Sequence, residues 1–164
     1  MPFHGGGLVV INQGGNGGTG GGGTVDLPAE HVASSADLFV NDSNTNLSAL
    51  TGTTPSLPAG DYEITVSYLW SKGGGPNSDF IANLLVDGTN VTDWGGDMHR
   101  AQPSNAGGGN VAGTETNQSY PVTMTFHRTF TSSGIHTFDL VFHSEFDGDR
   151  SSVRDVRVAF RQLP

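Results

Sequence analysis

Between Tyr62 and Trp70 the chain alternates without a break. Tyr62, Ile64, Val66, Tyr68 and Trp70 are separated by Glu63, Thr65, Ser67 and Leu69. A period of two sends successive side chains to opposite faces, so this segment predicts a β-strand with one face in a core. The pattern recurs along the chain. Phe80, Ala82, Leu84 and Val86 mark a strand over 79–86. Asp87-Gly88 predicts a tight hairpin turn, with 89–94 returning. Val122, Met124, Phe126 and Phe130 mark the next strand, then His136, Phe138, Leu140 and Phe142, and finally Val153, Val156, Val158 and Phe160. Two shorter strands are expected at 36–41 and 47–51. No window of eleven residues shows helical spacing. Glycine, serine, threonine and asparagine are abundant, and they suit turns and strands better than helices. The fold class that follows is all-β, an antiparallel β-sandwich of the jelly-roll kind.

The first 24 residues read differently. One apolar run, Leu8-Val9-Val10-Ile11, lies between Gly5-Gly6-Gly7 and the glycine-rich stretch 14–23. Ordering such a segment costs roughly 1–2 kcal/mol per residue. The chain therefore divides into an extended glycine-rich N-terminal arm, 1–24, and a jelly-roll domain, 25–164. Two readings of the arm stay open, and they are compatible. Phe3, His4, Leu8, Val9, Val10 and Ile11 are expected to bind a neighbouring subunit, or Leu8 to Ile11 form an edge strand of the chain's own sheet.

Charge narrows the function. The net charge is −9, and Lys72 is the only lysine. A nucleic-acid binder neutralises phosphates with clustered Lys and Arg, which this chain lacks, so no nucleic-acid partner is expected. An acidic surface disfavours anionic membranes, and the apolar run at 8–11 is far too short to span one. No membrane partner is expected. The N-terminus lacks the basic and apolar regions of a signal peptide. With no cysteine, disulfides and thiol chemistry play no part.

Asp147-Gly148-Asp149 resembles half of a calcium loop, but Arg150 follows where further oxygen ligands are needed, so a polar turn is expected. Asp87, Asp93, Asp97 and His99 cluster around the second hairpin, and turn-forming aspartates explain them. His127, His136 and His143 lie on adjacent strands, but His143 is on the opposite face by parity, so they read as ordinary sheet histidines. Arg154 and Arg157 are candidates for pairing with acidic residues of a sister subunit. Trp70 has core parity. Trp94 ends a strand beside the long polar segment 95–120, and a loop of that length is often functional. Trp94, Asp97, His99 and Arg100 are therefore the candidate contact loop. The glycine runs lack the Lys-Ser/Thr pair of a phosphate loop. No catalytic motif is spelled out, and no metal or cofactor is expected.

Several segments from 57 to 163 also carry a resemblance: Leu57-Pro58-Ala59-Gly60-Asp61-Tyr62, Asp79 to Gly88, Phe126-His127-Arg128-Thr129-Phe130, Gly134 to Leu140, and Val153 to Val158. They resemble the jelly-roll domain of phage virion proteins, among them capsid cement or decoration proteins. The resemblance implies a non-enzymatic protein on the capsid exterior, made in the host cytoplasm. It implies binding to the major capsid protein and self-association, with a trimer expected. A phage tail or fibre component and a carbohydrate-binding module are the alternatives.

Overall fold

The computed structural model describes residues 9–12, 30–72, 79–92, 96–101 and 119–164. The described residues form eleven strands and no helix. They are β1 (Val9–Asn12), β2 (Glu30–Ser35), β3 (Phe39–Asn41), β4 (Leu47–Thr53), β5 (Gly60–Lys72) and β6 (Phe80–Val86). After them come β7 (Thr89–Asn90), β8 (His99–Ala101), β9 (Tyr120–Phe130), β10 (Thr137–Ser144) and β11 (Ser151–Gln162). One sheet runs β1-β2-β11-β5-β9, with β3 also on β11. The other runs β4-β10-β6-β7, with β8 also on β6.

From β3 to β11 the chain crosses from sheet to sheet at every connection except those within β6-β7-β8. The last strand, β11, lies between the early strands β2 and β3 on one side and β5 on the other. In the second sheet β10 lies between β4 and β6. All pairings are antiparallel. Early and late strands interleaved across two sheets make a jelly roll, as the sequence predicts.

The core follows from the alternation. Tyr62, Ile64, Val66, Tyr68 and Trp70 are buried, and the residues between them are only partly so. Phe80, Leu84 and Val86 of β6 and Phe138, Leu140 and Phe142 of β10 meet them from the facing sheet. Trp70 stacks on Phe80 with ring centroids 4.8 Å apart, and Phe138 tilts against Phe160 at 5.7 Å. Burying each such aromatic side chain contributes on the order of 2–3 kcal/mol. Trp70 is a core residue, 6% exposed.

In β11 the apolar spacing breaks between Val153 and Val156. A register shift between Arg154 and Arg157 absorbs the extra residue, with Asp155 at φ +52°. This bulge keeps Val153, Val156 and Val158 all facing the core. The strand expected at 36–41 is the shorter β3, which continues the line of β2 along β11. β2 pairs with Val156–Arg161 and β3 with Ser151–Val153, so the break falls opposite the bulge. There Ser35 and Asp37 turn the chain, with the Asp37 N–H donating to Ser35 Oγ at 3.2 Å.

The Asp87-Gly88 hairpin forms as expected, with φ of +51° and +73° as a two-residue turn of this hand requires. The returning strand is shorter than the predicted 89–94. β7 ends at Asn90 because polar side chains draw the chain into a loop. Thr92 Oγ1 donates to the Gly96 carbonyl at 2.8 Å, and Asn90 Nδ2 donates to Asn83 Oδ1 at 2.7 Å.

Candidate functional site

Of the arm residues, Phe3, His4 and Leu8 lie outside the described residues. Val9, Val10 and Ile11 belong to β1, which pairs in register with β2: Val9 with Ser34, Val10 with Ala33 and Ile11 with Val32. The edge-strand reading of this run therefore holds within the chain.

At the end of the sandwich where β5 finishes, the charged groups neutralise one another. Trp94 lies outside the described residues. Arg100 is a hub: Nε meets Asp79 at 2.5 Å, Nη2 meets Glu145 at 2.5 Å and Nη1 meets Asp97 at 3.7 Å. These contacts, led by the hydrogen bond to Asp79, raise the guanidinium pKa above its ordinary value. His99 is half buried. Its Nδ1 lies 2.9 Å from the Tyr68 hydroxyl, and its ring meets Trp70 edge-on at 5.3 Å. Burial holds the imidazole below the usual histidine range and pushes the Tyr68 hydroxyl well above the tyrosine range. Lys72 is also drawn in, its side chain 3% exposed and 3.5 Å from Asp149. Asn41 Nδ2 crosses from one sheet to the other and donates to the Phe142 carbonyl at 3.0 Å. Asp97, His99 and Arg100 thus hold β8 and its loop to the sandwich.

The other sequence candidates also have local partners. Asp147 accepts hydrogen bonds from Ser43 Oγ and the Asn44 N–H, which is the work of a turn. His143 Nδ1 lies 2.8 Å from Asn46 Oδ1. His136 Nδ1 lies 2.7 Å from Asp87 Oδ2, and its ring stacks on Phe130 at 3.8 Å. Burial alone would raise the Asp87 carboxyl pKa, but hydrogen bonds from His136 and Thr137 outweigh it and hold the group below the usual range. Arg157 pairs with Glu30 of its own chain at 2.9 Å, and the Arg154 Nε is buried without a hydrogen-bond partner among the described residues. Among the described residues, no three His, Asp or Glu side chains are grouped to hold a metal ion.

At the end where β5 begins lies a half-open cleft of about 710 Å³. It lies between β9 and β7, which end their sheets among the described residues. Asp61, His127, Arg128 and Thr129 line one wall, and Asn90 and Thr92 line the other. Val91 and Leu163 add apolar surface, Leu163 being set there by its N–H donating to the Asp61 carbonyl at 2.8 Å. Thr129 Oγ1 donates to Asp61 Oδ1 at 2.5 Å, and Oδ2 has no partner among the described residues. The Arg128 side chain makes no ion pair or hydrogen bond to a described residue, and its register with Tyr62 sets it on the opposite face of the sheet from Asp61. Asn90 and Thr92 are fixed by their bonds to Asn83 and Gly96, so their wall is rigid.

No motif had marked this cleft, because its residues come from four separate stretches of sequence. One signal was there to be read. Arg128 shares the parity of Val122, Met124, Phe126 and Phe130, so it puts a charge on the apolar face of its strand.

No protein-family model and no curated protein matches the chain. Among solved structures it is similar to the C-terminal domain of EclA, described as a sugar-binding protein. That match has a TM-score of 0.45 and 16% identity, and covers 75% of this chain and 77% of that one. It is also similar to a pentameric capsid protein from metagenomic phage sequences, at TM-score 0.30 and 18% identity over 73% of this chain and 60% of that one. A third is TmCBM61, described in complex with β-1,4-galactotriose, at TM-score 0.32 and 13% identity over 94% and 88%. These are distant β-sandwich resemblances, and they point to no specific family.

Proposed function

We propose that this chain is a non-enzymatic structural protein of a bacteriophage particle. In this reading it is a cement or decoration protein on the capsid exterior that binds the assembled major capsid protein and associates with itself as a trimer. The observation that carries the reading is the edge strand β1. Four register pairs with β2 tie it to the sandwich, and the glycine-rich segment 13–29 joins it covalently. At about 3.3 Å per residue, that segment can reach on the order of 55 Å. A β2 edge on a second copy would offer β1 the same register, so exchange between copies would need no new contacts. Such a strand links subunits that are already side by side. A protein that binds only the assembled lattice stabilises it by linkage.

Quantitative mass spectrometry of purified particles tests this directly. A copy number near that of the major capsid protein, or a simple fraction of it, is the expected result. A handful of copies would move the chain to the tail or fibre. Deleting residues 1–24 should leave the sandwich folded and strip the protein from particles. Normal attachment of the truncated chain would remove the arm from the account.

A further inference from the structure

We infer that the outer edge of β9 pairs antiparallel with β9 of a second copy of this chain, about a twofold axis at Thr125. The inference goes beyond the capsid reading and does not depend on the arm, because β1 and β9 end opposite sides of the same sheet among the described residues. Where the arm links three copies, this contact would join such trimers in pairs.

Backbone direction is the first observation. The Asp61 carbonyl accepts from the Leu163 N–H at 2.8 Å, on the β11 side of β5. Asp61 therefore exchanges no backbone hydrogen bonds with its register partner Thr129, and Thr129 turns its own N–H and C=O away from β5. The register of β5 with β9 runs from Gly60 and Phe130 to Trp70 and Tyr120 without a shift. By alternation Thr123, Thr125 and His127 also present their backbone groups at the outer edge. Pro121 falls in the same set, where its missing N–H costs β5 no bond. These outward groups meet no partner among the described residues.

Second, β9 lacks the devices that keep sheet edges apart. The other edge strands are short or irregular. β1, β7 and β8 have four, two and three residues, and β4 shifts register against β10. β9 has eleven residues and no bulge against β5. It carries no Asp, Glu or Lys in a chain of net charge −9. Its inward residues Val122, Met124 and Phe126 pack on the core yet are only half buried.

Third, the strand is complementary to itself. Thr125 is the midpoint of Tyr120–Phe130, so turning one copy about it pairs both strands over their full length. Thr125 then meets Thr125 of the second copy, Thr123 meets His127, and Pro121 meets Thr129. These pairs supply about eight backbone hydrogen bonds, within the usual ~10 ± 5 of a protein interface. On the inward face Met124 meets Phe126 of the second copy, and the converse, giving two sulfur–aromatic contacts. Each Arg128 faces Val122 of the second copy. The two guanidiniums lie about 20 Å apart along the strands, more than twice the Debye length of about 8 Å, so like charges do not oppose the pairing.

The chain has no cysteine, so Thr125→Cys puts a single thiol on the axis. Residues that exchange both hydrogen bonds have Cα atoms about 5.5 Å apart, a span a disulfide can bridge. Under mild oxidation the full-length Thr125→Cys chain should form covalent dimers at least tenfold faster than Thr123→Cys, whose thiols would sit about 14 Å apart. Sedimentation velocity of the parent should show concentration-dependent association. Thr125→Lys should weaken it tenfold or more, because like charges then face each other on the axis. Mixing Thr125→Lys with Thr125→Glu should restore it. The inference is overturned if neither cysteine variant links or both link at equal rates. Association that survives Thr125→Lys would belong to another surface and also overturn it. So would weakening without rescue in the mixture, which is what a general loss of folding gives.

Discussion

The two ends of the sandwich use their polar residues in opposite ways. Where β5 finishes, Arg100 is shared among Asp79, Glu145 and Asp97, Lys72 is buried against Asp149, and His99 is held by Tyr68. Where β5 begins, Asp61 and Arg128 line a cleft from opposite faces of the sheet, and neither Asp61 Oδ2 nor the Arg128 guanidinium meets a partner among the described residues. A cluster of charged residues in sequence is therefore poor evidence for a binding site. What matters is whether the chain already satisfies them.

The largest expected effect tests the locked end. Trp70 stacks on Phe80 and meets Tyr120 and His99 there. Trp70→Ala should cost about 3–5 kcal/mol in chemical denaturation, the usual range for emptying a buried aromatic site. A loss below about 1 kcal/mol would mean that this end is not packed as described.

Next in size is a pH effect at the same end. His31, His99 and His143 are all held below the ordinary histidine value of 6.5, chiefly by burial. The folded state therefore favours their neutral forms, and below about pH 6.5 the unfolded chain binds more protons. Stability should be complete above that value and fall as pH drops from 7 to 5. Asp42, held low mainly by its hydrogen bond from Arg150, and Asp87 add a further loss as pH falls below their ordinary 3.8. His99→Gln should flatten the slope between pH 7 and 5. An unchanged slope would show that His99 is not the buried group described.

A smaller effect concerns the turn that holds β7 against the cleft. Asp87 accepts from the Thr137 N–H at 2.9 Å and pairs with His136. Asp87→Ala should cost about 1 kcal/mol, because the site is partly screened by solvent. Parent-like stability would remove Asp87 from the support of that wall.

The strands were legible wherever one face is apolar and the other polar, as in β5, β6 and β9. Elsewhere the pattern faded for physical reasons. In β2 only Ala33 is fully buried, so Glu30-His31-Val32-Ala33-Ser34-Ser35 shows no alternation. The three residues of β8 are too few for a period, and β8 is held by Arg100 and His99 rather than by an apolar face. The bulge at Asp155 inverts parity in mid-strand, and no rule of alternation foretells it. Asp97, His99 and Arg100 read in the sequence as a contact loop, and the partners that His99 and Arg100 meet within the chain, Tyr68, Asp79 and Glu145, are distant in sequence. The cleft was illegible for the same reason, apart from the misplaced charge of Arg128.

Paired denaturant titrations of Tyr68→Phe and Arg128→Ala test the contrast between the two ends most directly. Tyr68→Phe removes one oxygen and leaves the buried His99 Nδ1 without its partner. It should cost about 1–3 kcal/mol. Arg128→Ala removes a whole guanidinium that bonds to no described residue and should shift stability by less than about 0.5 kcal/mol. The reverse order, with Arg128 essential to stability and the Tyr68 hydroxyl dispensable, would contradict the division between a locked end and an open one.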